Sequence, residues 1–403
     1  MSEQPTNPST SDIVIVGGCG HVGLPLGLML ADRGLHVTLY DIDAAVVERV
    51  SSGEMPFLEK GADEVLTRVL EAGALEATTD PESVARAETV IVVIGTPVDE
   101  HLNPDIQAVS EALADVIQHL REGQLLVLRS TVYPGVTAKV EELIRSAGLD
   151  VDVTFCPERI AEGRALEELV HLPQIVSGRT EQGVERAEKL FRVLTSEVVR
   201  LEPEEAELAK LFTNAWRYIK FAAANQFFVI ANDFGLDFER IRGALAHNYP
   251  RAADLPRAGF AAGPCLFKDT AQLAAFNNNN FHLGQASMSI NEGLPLYIVS
   301  RLEQRYDLAD MKVGILGMAF KGGSDDIRSS LSYKLKRILR FKCAEVLCTD
   351  PHVTVDPDLQ PLEEVVERAG LLIVATPHEE YRGLTADVPI VDIWNVAAES
   401  VRV

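Results

Sequence analysis

Positive charge is scarce in this chain. Its 403 residues include 37 Lys or Arg against 60 Asp or Glu, so the formal net charge is −23 at pH 7. Proteins that bind nucleic acid need a broad basic face for the phosphate backbone, so this balance argues against nucleic acid as a partner. A small anionic ligand held by a few local cations and helix N-termini remains compatible with it.

Closely spaced cysteine pairs and long apolar runs are also lacking. The five cysteines are an odd number and no two have CxxC spacing, which argues against a disulfide framework and against a zinc site. No apolar run is long enough to span a bilayer. Residues 1–11 are rich in Ser, Thr, Pro and Asn and have no apolar core, so they do not resemble a signal peptide. We therefore expect a cytoplasmic protein without a bound metal or a membrane partner.

Short, β-branched apolar runs alternate with helical patterns, which is typical of a parallel sheet covered by helices on both faces. The first run, residues 12–16, leads into a turn where Gly18, Gly20 and Gly23 fit G-x-G-x-x-G. These glycines permit a tight turn, the approach of a pyrophosphate and close packing of helix on strand. The next strand ends at Asp41, the usual place for an acid that binds a ribose 2′-hydroxyl. The pattern predicts a Rossmann domain, and an acid at this position favours NAD over NADP.

Polar residues follow several of the later strands in this half of the chain. Thr96, Thr131 and Glu158 come directly after predicted strands, where open α/β sheets bind their ligands. Each of them alone also suits a helix cap or a turn. The predicted elements are strands at residues 89–94, 125–129 and 151–155, and a helix over 104–120.

A second series of strand patterns begins near Asp310. Its first loop lacks the G-x-G-x-x-G spacing, so we expect no classical dinucleotide there, although Lys321 and Arg328 suit phosphates. The sequence thus predicts an α/β protein with two Rossmann-like, doubly wound parallel-sheet domains joined by a long central helix. The predicted strands are at 313–317, 346–349, 371–375 and 391–393, and the predicted domains cover 12–200, 201–300 and 308–403.

The predicted central helix covers residues 204–234, which contain neither Pro nor Gly. Lys210, Asn214, Arg217 and Phe221 recur at i, i+4, i+7 and i+11, so they share one face of it. A solvated face would explain this row. However, Lys210 and Asn214 lie among apolar neighbours, and we therefore favour a site.

The stretch from Gly263 to Asp269 presents a cysteine directly after a Gly-Pro pair. Lys268 follows Cys265 closely, and a nearby cation favours the thiolate, which is the nucleophilic form. A carboxylate at Asp269 suits the orientation of a base or a water. A small cysteine in a loop with two solvated charges is the alternative interpretation.

These features together resemble the UDP-glucose/GDP-mannose dehydrogenase family over residues 13–395. Arg129 and Phe267 depart from the Glu and Pro that are common in that family. The motifs that match, in the family's order, are Gly18-x-Gly20-x-x-Gly23, Thr96-Pro97, Ser130-Thr131 with Pro134-Gly135, Cys156-Pro157-Glu158-Arg159, Lys210-x-x-x-Asn214, Gly263-Pro264-Cys265 with Lys268-Asp269, and Phe320-Lys321 with Asp326 and Arg328.

The resemblance implies an NAD-dependent nucleotide-sugar 6-dehydrogenase, which oxidises the C6 alcohol to a carboxylate in two steps and reduces two NAD. Cys265 would capture the C6 aldehyde as a thiohemiacetal, and hydrolysis of the later thioester would release the uronate. Lys210 would stabilise the oxyanion, with Asn214 as its hydrogen-bonding partner. Asp269 would orient Lys210 or the attacking water.

The same resemblance implies roles for residues of the binding site and for a second subunit. Thr131 would position a water, Glu158 would assist thioester hydrolysis, and the long helix would form the core of a homodimer. The residues implied to bind the cofactor are Gly18, Gly20, His21, Val22, Gly23, Asp41, Thr96, Pro97, Thr131, Glu162, Lys268 and Arg328. Those implied to bind the substrate are Glu158, Arg159, Lys210, Asn214, Arg217, Phe260, Gly263 and Lys321.

Three motifs resemble the N-acetylhexosamine branch of the family: Asn214-x-x-Arg217, Cys156-Pro157-Glu158-Arg159, and Asn291 followed by Pro295. Arg217 suits donation to an acetamido carbonyl, or it pairs with a helix carboxylate such as Glu207. We therefore expect a UDP-N-acetylhexosamine as substrate. UDP-glucose 6-dehydrogenase, a single-step NAD dehydrogenase without a covalent cysteine and a non-catalytic binding protein are the alternatives.

Overall fold

The computed structural model describes residues 12–95, 106–401 and 403, without the side chains of 106–110. Thr96, Pro97 and the start of the helix predicted over 104–120 lie outside the described residues. The chain divides into two compact units, and the boundary between Phe212 and Thr213 falls inside a long helix. The three domains predicted from the sequence stay a prediction.

The described part of the first unit contains one sheet, with the strand order β3-β2-β1-β4-β5-β6-β7-β8. The strands from β3 to β6 are parallel, whereas β7 is antiparallel to β6 and β8 is parallel to β7. The predicted Rossmann-like sheet is confirmed, but its last two strands run in the opposite direction. The strands are β1 (Ile13–Val16), β2 (Val37–Tyr40), β3 (Leu75–Thr78), β4 (Thr89–Val92), β5 (Leu125–Leu128), β6 (Asp152–Phe155), β7 (Gln174–Gly178) and β8 (Val198–Leu201).

Helices cover both faces of this sheet, and strand β1 shows why its sequence is apolar throughout. Ile13 and Ile15 pack into the core on one face, and Val14 and Val16 pack into the core on the other. Since successive side chains of a strand point to opposite faces, a run without polar residues requires burial on both. The helices are α1 (Gly23–Asp32), α2 (Ala44–Ser51), α3 (Ala62–Glu71), α4 (Ser83–Arg86), α5 (Ile106–Ile117), α6 (Val136–Ser146), α7 (Ala165–His171) and α8 (Glu181–Phe191).

The second unit contains helices followed by a smaller parallel sheet in the order β10-β9-β11-β12. This confirms the predicted second Rossmann-like sheet. The strands are β9 (Lys312–Leu316), β10 (Glu345–Thr349), β11 (Leu371–Val374) and β12 (Ile390–Asp392). The helices are α10 (Phe238–Ala246), α11 (Leu266–Phe276), α12 (His282–Leu302), α13 (Leu331–Arg340) and α14 (Leu362–Arg368), after α9 (Pro203–Asp233), which crosses the unit boundary.

Helix α9 confirms the long helix that was predicted over residues 204–234. It begins at Pro203, where a missing N–H costs no helical hydrogen bond. It is followed by Gly235, which has a φ of +68°, and the N–H of Leu236 donates to Ala231 O at 2.8 Å. A left-handed glycine after the last turn is a common helix stop. No helix in the described ranges is both long and apolar enough to cross a membrane.

Candidate active site

The glycine-rich turn after β1 has the shape that the sequence predicts. A Cβ on Gly18 would lie 2.6 Å from Ile15 O, and one on Gly23 would lie 2.5 Å from Gly17 O, so neither position accepts a side chain. At Gly20 the nearest atom to such a Cβ is 3.7 Å away, which leaves this backbone open on one side. The turn thus provides a cradle that a pyrophosphate can approach, and these residues fit NAD.

Asp41 lies at the end of β2, next to this turn. Its carboxylate accepts hydrogen bonds from Cys19 N at 3.1 Å and from Asp43 N at 3.2 Å. His21 in the turn stacks on Phe57, with 4.0 Å between the ring centroids. The predicted ribose acid is therefore fixed beside the cradle, while Val22 is half-buried at the start of α1.

A buried ion pair joins the ends of β5 and β6. The Arg129 guanidinium pairs with Glu158 and also donates to Cys156 O at 2.9 Å and Gln174 Oε1 at 3.0 Å. The other oxygen of Glu158 accepts from the backbone N–H groups of Arg159 at 2.6 Å and Ile160 at 2.8 Å. Both carboxylate oxygens of Glu158 are therefore engaged, and they hold the loop that follows β6.

Two more carboxylates hold the rest of this loop, which we call the 158–165 loop. Glu168 accepts from Ala161 N at 2.7 Å. Buried Glu59 accepts from Gly163 N and Ala165 N, both at 2.8 Å. Glu59 could not be identified from the sequence, because it lies about a hundred positions before this loop in a segment without strand or motif character. Thr131 and Glu162 are half-buried beside these elements of the first unit.

On helix α9, Lys210 and Asn214 lie one turn apart and both are buried, Lys210 with 8 % of its surface exposed. In the second unit the Asn214 amide donates to Asp269 Oδ2 at 2.5 Å, and Asp269 on α11 is fully buried. Lys268 Nζ lies 3.9 Å from Asp269 Oδ1. The structure thus brings together Asn214, Asp269 and Lys268, which the sequence placed in one site.

Cys265 is exposed and lies directly before α11, as its N-cap residue. The N–H groups and dipole of a helix N-terminus favour a thiolate over a thiol. The preceding Gly263 has a φ of +107°, and a Cβ there would lie 2.6 Å from the Phe320 ring, so only glycine fits. Phe260 is buried in the core of this unit.

The other cysteines are less accessible or hold their protons more tightly. Burial, aided by the charge of Asp41, raises the pKa of Cys19 to about 12, and burial raises the pKa of Cys156 to about 12 although Arg129 lowers it. Burial raises the pKa values of Cys343 and Cys348 to about 11 each. Cys265 is therefore the cysteine that is presented for chemistry.

The loop between β9 and α13, residues 317–330, carries the remaining predicted cations. Half-buried Lys321 lies over the Phe320 ring, with Nζ 5.5 Å from its centroid. Arg328 is exposed and pairs with Asp326, with 2.6 Å between Nη2 and Oδ2. We call this segment the Lys321 loop.

Arg217 is exposed on α9 and makes no hydrogen bond or ion pair with any residue that the structure describes. The alternative partner Glu207 is buried in the first unit. It accepts from Gly135 N at 2.6 Å and from Thr137 N and Oγ1 at 2.8 and 2.6 Å. The Glu207 carboxylate thus accepts three hydrogen bonds already, and it does not pair with Arg217.

Family models match the chain in three consecutive segments. Residues 11–195 match the NAD binding domain of the UDP-glucose/GDP-mannose dehydrogenase family, 204–293 its central domain and 314–399 its UDP binding domain. UDP-N-acetyl-D-mannosamine dehydrogenase of Pyrococcus horikoshii is 32% identical over 402 residues, which cover 96% of this chain and 93% of that protein.

Solved structures agree over nearly the whole chain. The UDP-N-acetyl-D-mannosamine dehydrogenase structure from P. horikoshii has a TM-score of 0.88 at 30% identity and covers 95% of each chain. A UDP-glucose dehydrogenase from Pyrobaculum islandicum has a TM-score of 0.89 at 26% identity and covers 98% of this chain and 96% of that one. The chain therefore belongs to the UDP-glucose/GDP-mannose dehydrogenase family, with its NAD binding, central and UDP binding domains.

Proposed function

We propose that this protein oxidises the C6 alcohol of a UDP-N-acetylhexosamine to the uronate. The favoured substrate is UDP-N-acetylmannosamine. The observation that carries the proposal is the exposed Cys265 at the N-terminus of α11, four residues before a buried Asp269 that Asn214 binds. This arrangement supplies a nucleophile and a fixed carboxylate in a chain with NAD-binding and UDP-binding domains.

The proposed role of Cys265 is covalent. Its thiolate adds to the C6 aldehyde to form a thiohemiacetal, whose oxidation leaves a thioester, and water then releases the uronate and the free thiol. NAD, when bound, accepts one hydride in each of the two oxidations. The second oxidation proceeds from the thiohemiacetal because its oxygen, once deprotonated, forms the thioester C=O as the C–H bond breaks and the hydride leaves, whereas hydride loss from a free aldehyde would leave an acylium ion.

Lys210 and the Asn214–Asp269 pair are proposed to stabilise the negative charge that develops on the C6 oxygen. A buried ammonium stabilises an oxyanion far more than an exposed one, because the surrounding dielectric is low. Asp269 fixes the Asn214 amide through the 2.5 Å bond and is proposed to orient Lys210 or the hydrolytic water.

For Glu158 the hydrogen bonds favour a different role from the one that the resemblance implies. Both of its oxygens bind Arg129 or backbone N–H groups. We propose that Glu158 positions Arg159 and the 158–165 loop for the nucleotide sugar, and that Thr131 positions a water.

The substrate assignment draws on relatives named UDP-N-acetyl-D-mannosamine dehydrogenase and on Arg217. An exposed arginine without an ion-pair partner among the described residues has its five donors available for an acetamido carbonyl. UDP-glucose is the second candidate, because the UDP-glucose dehydrogenase of P. islandicum has a TM-score of 0.89.

The test is steady-state oxidation of UDP-N-acetylmannosamine, UDP-N-acetylglucosamine and UDP-glucose. We expect about two NADH per uronate, since each of the two oxidations releases one hydride. Arg217→Leu should lower kcat/KM on the N-acetyl sugars by about ten- to a hundredfold, the cost of about 1.5–3 kcal/mol for a lost charged hydrogen bond.

The control is Arg145→Leu, which removes an exposed arginine at the end of α6. It should leave all three rates unchanged. The substrate assignment fails if UDP-glucose is the best substrate or if Arg217→Leu lowers all three rates equally. One NADH per product would favour the single-step alternative.

A further inference from the structure

The Lys321 loop is tied to the ends of two neighbouring strands by a buried Asp–His pair. Asp350 follows β10, and its Oδ2 accepts from Met318 N at 2.7 Å and Ala319 N at 2.9 Å, at the start of the loop. The same oxygen lies 3.1 Å from His378 Nε2, after the end of β11. Both side chains have no exposed surface.

The hydrogen bonds of His378 fix its tautomer. The N–H of Gly323, in the middle of the loop, donates to His378 Nδ1 at 3.3 Å. A backbone N–H is only a donor, so Nδ1 is unprotonated and Nε2 carries the proton that it donates to Asp350. Burial alone would raise the pKa of Asp350, but the bond from His378 and the backbone donors lower it below its usual range.

The Lys321 loop packs tightly against the residues that follow β11. A Cβ on Gly322 would lie 2.3 Å from Pro377 O, and Thr376 Oγ1 donates to Ala319 O at 2.7 Å. Lys321 therefore lies between residues that are fixed to the ends of β10 and β11. The position of its ammonium depends on these contacts.

We propose that Asp350 and His378 are positioning residues for the nucleotide sugar, which act by holding the Lys321 loop. The inference rests on the proposed function of Lys321 in binding that substrate. Without the His378 imidazole, the Gly323 N–H loses its acceptor and Asp350 loses a donor, so the loop is held by fewer bonds and the affinity for the nucleotide sugar falls.

Other groups face His378 from the elements packed around it. The His352 ring lies 5.0 Å away and the Tyr381 ring 5.7 Å away, centroid to centroid, and His352 Nε2 is 3.3 Å from Glu380. Because both ring nitrogens of His378 are already bonded, His352, His378 and Glu380 do not offer a cation three free ligand atoms.

The matched variants are His378→Gln and His352→Gln, which each remove one of two adjacent imidazoles. Binding of UDP-N-acetylmannosamine without NAD would be measured by calorimetry, and KM and kcat by steady-state kinetics. We expect His378→Gln to weaken binding about two- to tenfold, as for one lost hydrogen bond, and to raise KM without a change in kcat. His352→Gln should keep the affinity, KM and kcat of the wild type.

Amide exchange provides a second measurement that needs no ligand. The Gly323 amide should exchange faster in His378→Gln than in the wild type, whereas His352→Gln should leave its exchange unchanged. Asp350→Asn, which keeps the shape of the side chain, serves as a second variant and should also weaken binding of the nucleotide sugar. Unchanged protection of Gly323 or wild-type affinity in His378→Gln, or wild-type affinity in Asp350→Asn, overturns the inference. A wild type that neither binds nor oxidises the nucleotide sugar, together with faster Gly323 exchange in His378→Gln, would sink the proposed function alone.

Discussion

At the scale of single residues, the environment of each cysteine decides its chemistry. Burial raises the pKa values of Cys19, Cys156, Cys343 and Cys348, which keeps them protonated near neutral pH. Cys265 instead is exposed at the start of a helix. Only there does the chain combine access for a substrate with stabilisation of the thiolate by helix N–H groups.

Replacing Cys265 by alanine should therefore abolish uronate formation without loss of NAD binding. The covalent route disappears with the thiol, and the glycine cradle and Asp41 that are expected to hold NAD lie in the first unit. The measurements are uronate production and NAD affinity. Cys343→Ala, which removes a half-buried thiol after α13, is the control and should keep wild-type turnover. Uronate formation by Cys265→Ala near the wild-type rate would contradict the covalent mechanism.

The sequence identified the reactive candidates but not the residues that hold them. Cys265 and Asp269 were readable because glycine, proline and charge occur within a few positions of each other. Arg129, Glu59 and His378 gave no such signal, since their partners lie far along the chain. A hydrogen bond from Gly163 to Glu59 exists only after the fold has brought the two segments together.

At the scale of elements, carboxylates replace regular backbone pairing in the 158–165 loop. Three glutamates, Glu59, Glu158 and Glu168, accept the N–H groups that a strand or helix would otherwise satisfy. Buried backbone donors need such partners, because an unsatisfied one costs about 1–3 kcal/mol. The loop thus keeps a defined shape without regular secondary structure.

Glu59→Gln should loosen this loop. In the variant an NH2 group replaces one carboxylate oxygen. This group cannot accept a hydrogen bond, so the N–H of either Gly163 or Ala165 loses its acceptor. We expect faster amide exchange at these two residues and a loss of about 1–3 kcal/mol in their opening free energy. Glu64→Gln, an exposed acid on α3, is the control and should leave exchange unchanged. Equal protection of both amides in Glu59→Gln and the wild type would refute the role of Glu59.

Prediction of the elements themselves succeeded where a strand is apolar over nearly its whole length. Strands β1, β4, β5, β9 and β11 are apolar runs, and each was predicted within a few residues. Strand β3 was missed because it is the edge strand and only Leu75 is buried. Strands β7 and β8 were also missed, and the reversal at β7 is not encoded in periodicity, because alternation is the same in parallel and antiparallel strands.

At the scale of the whole molecule, helix α9 has an apolar stripe that the described chain leaves uncovered. Trp216, Phe227 and Ile230 are each about half exposed, and Phe234, just after the helix, is 77% exposed. Their positions differ by nearly whole helical turns, so they share one face. Asn214 and Phe221 lie on the opposite side of the helix. One face therefore serves the proposed site, and the other is available for burial against a second subunit.

We propose that this stripe forms the core of a homodimer, and expect the wild type to have twice the 44.0 kDa chain mass in light scattering at micromolar concentration. Trp216→Glu combined with Phe234→Glu should yield monomers, because charges in an apolar interface core lose their hydration without gaining partners. Phe341→Glu replaces a phenylalanine that is 89% exposed after α13, and it should leave the mass unchanged. A wild type of monomer mass, or a double variant that stays dimeric, would rule out this interface.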